Sequence, residues 1–313
     1  MDGQMYDLLW GVIRIIASFA VPFFFTAMGY LFFRRIDKEQ SIRYVTSYLR
    51  KCCKYLILTV GVYSIYHCLK LSFSPDKNAL YAEFFTSIFD WTNLYYGIES
   101  AGMFHLWFLL VPFYVLPLVY VFRKRISFLT FIFLSFNLIG ILLQGLKFDV
   151  QVRDALFYGG FYICLGGWLF KNEEEIREQV RKINMHYLLV SLVFFNVLQI
   201  CESLLWNCRL SYSISTIFIT LILFAIILKN SNIWKNSLVN KIGAASLGVY
   251  LIHPLIIDFV FLILHITGES EVSKSVLWQI FFTPFVFVIS YMVYMLLQKS
   301  TRFVDIIVKT IRK

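Results

Sequence analysis

Long apolar stretches alternate with short polar connections along almost the whole chain. A helix needs about 20 mostly apolar residues to cross a bilayer, and an isolated strand would leave its backbone groups unpaired in lipid. Nine stretches approximately meet this requirement and are predicted to be transmembrane helices: Gly11–Phe33, Cys52–Leu71, Phe104–Phe122, Ser127–Leu146, Asp154–Phe170, Met185–Trp206, Ser211–Leu228, Ile242–Leu264 and Ser275–Gln298. The predicted fold class is therefore all-α, a polytopic membrane helix bundle.

The basic residues alternate between successive connections. The first, third, fifth and seventh connections and the C-terminal tail are rich in Lys and Arg, whereas each of the others carries only one or two. Because Lys and Arg gather in the cytoplasmic loops of membrane proteins, this pattern predicts a cytoplasmic C-terminus and, with nine helices, an outer N-terminus. One basic connection, Lys171–Lys182, has charges of both signs at helical spacing and is predicted to continue the preceding helix into the cytoplasm.

Composition supports a membrane protein and argues against several other classes. Hydrophobic residues make up 59% of the chain and charged residues 15%, against about 45–50% and about 25% in soluble domains. The excess is spread over the whole length, so a single membrane domain in a lipid bilayer is predicted for residues 1–313. The net charge of +10 belongs to the basic loops, and nucleic-acid binding is not expected. The six cysteines form no metal-binding pattern.

Histidines within apolar stretches are the first candidates for chemistry, since ionisable groups at membrane depth are costly and often functional. His105 opens the third predicted helix at the outer face. His253 lies about eleven residues into the eighth, which places it near the bilayer centre. A lone histidine in a membrane helix can equally be a hydrogen-bonding partner between helices, and Trp107 can be an interfacial anchor or a packing residue. Both interpretations stay open.

The basic cluster Arg50, Lys51 and Lys54 also allows two interpretations. It is first of all a positive-inside signal at the start of a predicted helix. Cations oppose the helix dipole at that end, however, which favours a second role, contact with an anion such as a phosphate. The sequence contains no Gly-rich phosphate loop, nucleophile elbow or metal-binding His/Glu helix, which argues against a serine hydrolase or a zinc enzyme.

Three stretches carry a resemblance to a known family. They are Ala20–Arg35 (AVPFFFTAMGYLFFRR), Phe104–Leu110 (FHLWFLL) and Ser246–Ile256 (SLGVYLIHPLI). Each is short and apolar, but together, in this order and spacing, they resemble the acyltransferase-3 family of integral membrane O-acyltransferases over nearly the whole chain. The resemblance implies a helix bundle with both ends inside, in the bacterial cytoplasmic membrane. It also implies transfer of an acyl group, usually acetyl, from cytoplasmic acyl-CoA to a hydroxyl of a cell-envelope polysaccharide or lipid-linked sugar.

The positions that match the family's motifs imply a set of site residues. The candidate catalytic residues are His105 and His253. The family's basic helix entry is matched only loosely, and the candidates for binding the phosphates of the donor acyl-CoA, acetyl-CoA in particular, are Arg50, Lys51 and Lys54. The candidate substrate-binding residues are Tyr30, Trp107 and Tyr250. No metal and no permanently bound cofactor is implied.

Two departures from the family pattern affect the expected activity. Met28 stands where the family usually has serine. The family's first helix, which carries the histidine usually assigned as catalytic base, has no counterpart here, and an outer N-terminus agrees with its loss. The expectation is therefore a truncated or shortened member, active or inactive. The alternative from another class is a transporter or binding module on the same scaffold, for a small polar substrate such as an amino acid.

Overall fold

The computed structural model describes residues 11–39, 42–72, 77–88, 90, 92–93, 103–148, 155–206, 213–230 and 237–311. These residues contain eleven α-helices and no β-strand, which confirms the predicted all-α helix bundle. The chain divides into two compact units, one within Val12–Ser231 and one that includes Asn232–Lys313. That residues 1–313 act as a single domain remains a prediction.

The larger unit contains nine of the described helices: α1 (Ala20–Glu39), α2 (Ile42–Leu71), α3 (Lys77–Ile88), α4 (Trp107–Val121), α5 (Ile126–Gly145), α6 (Gly160–Lys171), α7 (Glu173–Lys182), α8 (Met185–Leu205) and α9 (Ile214–Lys229). Short 3₁₀ segments precede α4 and α5, and a π-helical turn, Ala155–Gly159, precedes α6. The smaller unit contains α10 (Leu238–Thr267) and α11 (Val276–Ile311), which pack against each other.

Seven helical segments of the described chain are long and apolar enough to cross a membrane: Gly11–Lys38, Ile42–Leu71, Phe104–Val121, Arg123–Gly145, Met185–Leu205, Leu238–Thr267 and Val276–Lys299. They correspond to seven of the nine predicted spans. Many of their apolar side chains are exposed, as on α2, where Ile57, Leu58 and Ile65 are 67%, 61% and 66% exposed. An apolar surface of this extent suits contact with lipid and not with water.

The two other predicted spans form shorter helices, α6 and α9. The first part of the predicted Asp154–Phe170 helix is instead the π-helical turn, where the Phe157 carbonyl accepts a 2.8 Å hydrogen bond from Nδ2 of the buried Asn137. Nearly every α6 side chain is buried, against α1, α4 and α5. A helix enclosed by protein does not need a full lipid-facing length, so the apolar run of α6 reflects burial among other helices.

The charged segment Lys171–Lys182 does not continue α6, and that prediction is wrong. Asn172 closes α6 because its Nδ2 donates to the Trp168 carbonyl at 2.8 Å, and α7 begins directly afterwards. The C-terminal end of α7 is attached to α9 by Lys229. Its Nζ donates at 3.0, 3.0 and 2.7 Å to the carbonyls of Val180, Arg181 and Ile183. The chain therefore turns at Asn172 instead of extending straight out of the bundle.

Direct backbone contact between α1 and α6 forms the centre of the larger unit. The two helices cross at glycines: a Cβ atom on Gly29 would lie 2.0 Å from the Ile163 carbonyl oxygen, and one on Gly166 would lie 2.0 Å from that of Thr26. Small residues allow helix backbones to approach this closely within a membrane. Residues of α1 on either side of this crossing contribute aromatic side chains to the candidate site.

Candidate functional site

His105 lies in the short 3₁₀ segment Phe104–Leu106 that leads into α4, and it is only 2% exposed. Its imidazole packs against the Tyr63 ring of α2, with 5.3 Å between ring centroids and 47° between ring planes. The position at the start of the helix agrees with the sequence. The side chain, however, is buried between α2 and α4 and is not open at the protein surface. Its catalytic role remains a prediction.

Trp107, the first residue of α4, is 8% exposed and belongs to an aromatic cluster. Its ring centroid lies 5.6 Å from that of Phe25 on α1 and 5.7 Å from that of Tyr158 in the π-helical turn. Phe25 is in turn stacked on Phe108, with 4.5 Å between centroids. Aromatic pairs of this kind contribute about 0.5–1.5 kcal/mol beyond their burial. Packing alone therefore accounts for Trp107, and its role in substrate binding remains a prediction.

Tyr30 follows the glycine crossing on α1 and connects α1 to α7. Its ring lies between two others, with centroid distances of 5.6 Å to Phe170 and 5.5 Å to Phe224. Its hydroxyl interacts with the carboxylate of Glu173 and the guanidinium of Arg177, which form a 2.6 Å ion pair with each other. The sequence did not single out this pair, because the two charged residues lie far from Tyr30 in the chain.

The groups around Glu173 set the pKa of its carboxyl. Partial burial would by itself raise this pKa, since it penalises the charged form. The Tyr30 hydroxyl, the hydrogen bond and charge of Arg177, and the charge of Arg34 all favour the carboxylate. These interactions outweigh burial, so the pKa of Glu173 lies below its ordinary value.

We expect the stability of the protein to fall more steeply in acid than that of its Glu173→Gln variant. A carboxyl with a lowered folded-state pKa contributes its full stabilisation above its unfolded pKa, which is about 4.3 for glutamate. The contribution is lost as the pH falls through the lower, folded-state pKa. Thermal midpoints measured from about pH 7 to pH 3 would show the difference. Glu178→Gln is the control, because the Glu178 side chain is 72% exposed; parallel curves for all three proteins would contradict the prediction.

A surface pocket of about 560 Å³ opens beside the Glu173–Arg177 pair. It is lined by Asp37, Phe170, Lys171, Asn172, Glu173, Glu174 and Glu175. Four of these side chains are carboxylates and one is an ammonium group. Phosphates are bound by cationic side chains and are repelled by a surface of their own charge. This pocket therefore does not suit the phosphates of acyl-CoA.

The basic cluster Arg50, Lys51 and Lys54 is exposed on α2. The prediction that it stands at the start of a helix is wrong, because α2 begins at Ile42 and not at Cys52. The helix-dipole effect is confined to the first turn, so it no longer indicates that these side chains face an anion. Their exposed positive charge still suits phosphates, and the binding role remains a prediction.

In the smaller unit, Tyr250 and His253 lie about one helical turn apart on α10. Nδ1 of His253 is 2.7 Å from the carbonyl oxygen of Tyr250, and the centroids of the two rings are 5.6 Å apart. A carbonyl can only accept a hydrogen bond, so Nδ1 is the donor. The neutral imidazole therefore has its lone pair on Nε2, and the orientation of the ring is defined. The roles of both residues remain predictions.

The buried Gln199 on α8 is not among the residues that the sequence singled out. Gln199, 3% exposed, donates from Nε2 to the hydroxyl of Ser18 at 2.5 Å and to that of Thr216 at 2.9 Å. About one turn further on, Glu202 accepts hydrogen bonds from the backbone N–H and the hydroxyl of Ser215, at 3.1 and 2.7 Å. These bonds hold α8 against α9. Ser215 lies in the first turn of α9, where the helix dipole also favours a carboxylate. The signal in the sequence was two polar residues one turn apart in an apolar stretch.

Long apolar helices whose apolar side chains are widely exposed define a multi-pass membrane protein. The chain belongs to the acyltransferase-3 family, since the family model described as an acyltransferase domain matches residues 3–295. This match confirms the resemblance found in the three motifs, and the protein is therefore a membrane acyltransferase. The comparisons with curated proteins and with solved structures found no match.

Proposed function

We propose that the protein transfers an acyl group, acetyl in the first instance, from cytoplasmic acyl-CoA to a hydroxyl of a cell-envelope polysaccharide or lipid-linked sugar. Membership of the acyltransferase-3 family supports acyl transfer, and the seven apolar helices support a site within a membrane. The proposed location is the bacterial cytoplasmic membrane. The alternation of basic connections supports a cytoplasmic C-terminus.

The observation that carries this proposal is the oriented imidazole of His253, whose Nδ1 lies 2.7 Å from the Tyr250 carbonyl oxygen. A base that is oriented by a third group is a recurrent arrangement in acyl transfer. The acceptor O–H gives its proton to Nε2 while its oxygen attacks the thioester carbonyl carbon. The C–S bond then breaks, and the CoA thiolate takes the proton from the imidazolium. General-base assistance of this kind accelerates a reaction by roughly 10²–10⁴-fold.

The other candidate residues have supporting roles in this proposal. His105, buried beside Tyr63, lies at the start of α4, where the acceptor is proposed to enter from the outer side. Tyr30, Trp107 and Tyr250 are each proposed to contact substrate. The phosphates of acyl-CoA are proposed to contact the exposed side chains of Arg50, Lys51 and Lys54.

Removal of this basic face is expected to weaken donor binding. In an Arg50→Ala/Lys51→Ala/Lys54→Ala variant, KM for acetyl-CoA should rise by roughly tenfold or more, the result of losing about 1.4 kcal/mol of binding. The value of kcat should change little, since these side chains lie outside the reacting groups. Initial rates of acetyl transfer against acetyl-CoA concentration, in lipid nanodiscs, measure both constants. The control is Lys124→Ala/Arg125→Ala, which removes exposed charge elsewhere; equal KM values in the two variants would remove the assigned role.

The function itself is tested with the full chain in nanodiscs, radiolabelled acetyl-CoA and cell-envelope glycan as acceptor. The expected result is label on the glycan in an ester that mild alkali releases. A chain that leaves the glycan unlabelled, yet carries an amino acid across vesicle membranes in the absence of any acyl donor, would replace this proposal by transport. Amino-acid flux that occurs only in the presence of acyl-CoA would leave the proposal of acyl transfer in place.

A further inference from the structure

Pro254 lies inside α10, directly after His253, and is buried. Proline has no backbone N–H, so at this position the helix lacks the hydrogen bond that residue 254 would donate to the carbonyl of Tyr250, four residues earlier. The ring of a proline inside a helix also clashes with the carbonyl four residues earlier. In a membrane, a carbonyl released in this way must find another donor, because lipid offers none.

The donor is the neighbouring histidine. Nδ1 of His253 lies 2.7 Å from the same Tyr250 carbonyl oxygen whose helical donor Pro254 removes. The other prolines within the described helices are Pro22 on α1, Pro112 and Pro117 on α4, and Pro284 on α11. The residues before them are Val21, Val111, Leu116 and Thr283, and none of these carries an imidazole. Of these prolines, Pro254 is thus the one that leaves a carbonyl, that of Tyr250, without its helical donor next to an imidazole.

We propose that Pro254 is a positioning residue that commits His253 to the Nδ1-protonated tautomer. Because Pro254 has no N–H, the Tyr250 carbonyl accepts its hydrogen bond from Nδ1 of His253 instead. The lone pair of the neutral ring is then on Nε2. A residue that donates or accepts at one ring nitrogen decides which form the other nitrogen takes. The value of this tautomer for catalysis rests on the proposed acyl transfer. The tautomer itself does not, and it can be measured separately.

The direct test is nitrogen NMR of the full chain in lipid bilayers with ¹⁵N-labelled histidine. The chain has five histidines, and a spectrum of His253→Gln identifies the signals of His253 by their loss. Wild type should show a protonated Nδ1 and an unprotonated Nε2 at a pH where the ring is neutral. In Pro254→Ala, the new N–H at residue 254 takes the Tyr250 carbonyl, so His253 should shift toward the Nε2-protonated form.

Two further variants make the test specific. Pro254→Val also supplies an N–H but keeps more of the buried volume, so it should give the same shift if the alanine variant folds poorly. Pro284→Ala replaces another proline inside a helix of the same unit and should leave the signals of His253 unchanged. An unchanged Nδ1-protonated form in both Pro254 variants would overturn the inference, as would an Nε2-protonated wild type.

Enzyme assays separate this inference from the proposed function. If both hold, Pro254→Ala should lower kcat for acetyl transfer by roughly 10–100-fold, with little change in KM. This is the range seen when the hydrogen bond that orients a metal-bound histidine is lost. If the NMR shift occurs but wild type transfers no acyl group, the tautomer assignment stands and the proposed function fails. Unaltered kcat in a Pro254 variant that shows the NMR shift would remove the positioning role in catalysis.

Discussion

Replacing Gly166 by alanine is expected to destabilise the larger unit severely. The new Cβ would lie 2.0 Å from the carbonyl oxygen of Thr26 and 2.6 Å from the backbone nitrogen of Tyr30. Both atoms belong to the backbone of α1, so no side-chain rotation can relieve the overlap, and the two helices must move apart. Overpacking of a close-packed interior costs about 1–3 kcal/mol and sometimes more. The thermal midpoint in detergent should therefore fall by several degrees, on the order of 5–10 °C.

The same substitution at two other glycines tests whether the effect comes from the crossing of α1 and α6. Gly29→Ala should be as damaging as Gly166→Ala, because its Cβ would lie 2.0 Å from the Ile163 carbonyl oxygen. Gly61→Ala on α2 is the matched control, since no atom lies within 4 Å of its Cβ position. It should be neutral or stabilising, as alanine is favoured over glycine in a helix by about 1 kcal/mol. A wild-type midpoint for Gly166→Ala would show that α1 and α6 are not in backbone contact.

The helices of this protein could be predicted from its sequence, because apolar runs of sufficient length are unambiguous in a membrane protein. The boundaries could not. α2 extends from Ile42 through a segment rich in charged and polar side chains, which an apolar window leaves out. α6 has the same apolar character as a lipid-facing span but is enclosed by α1, α4 and α5. Hydropathy does not distinguish contact with lipid from contact with protein, since both environments are apolar.

The candidate site divides in the same way. The contact between His253 and the Tyr250 carbonyl joins residues one turn apart, so helical periodicity and the adjacent proline already indicate it. The packing of His105 against Tyr63, by contrast, joins helices that are separated by a long connection, and no local pattern reports it. The interaction of Tyr30 with Glu173 is of this second kind. The sequence therefore indicates the chemical groups but not the neighbours that bury and orient them.

An asparagine in place of His253 is expected to abolish most of the acyl transfer while leaving the fold intact. The amide Nδ2 of asparagine occupies about the position of Nδ1 in histidine, so it can donate to the Tyr250 carbonyl as the imidazole does at 2.7 Å. Asparagine has no counterpart of Nε2 and cannot take a proton from the acceptor hydroxyl at neutral pH. Loss of a general base lowers kcat by roughly 10²–10⁴-fold.

The measurement is the initial rate of acetyl transfer to glycan in nanodiscs, together with the thermal midpoint of each protein. His253→Asn should keep a midpoint near that of wild type, because the hydrogen bond to Tyr250 is retained. His186→Asn is the control, since His186 is exposed at the start of α8 and the same change there should affect neither quantity. If His253→Asn transfers acetyl at the wild-type rate, His253 is not the base. His105, which is buried against Tyr63, would then be the next candidate for the base.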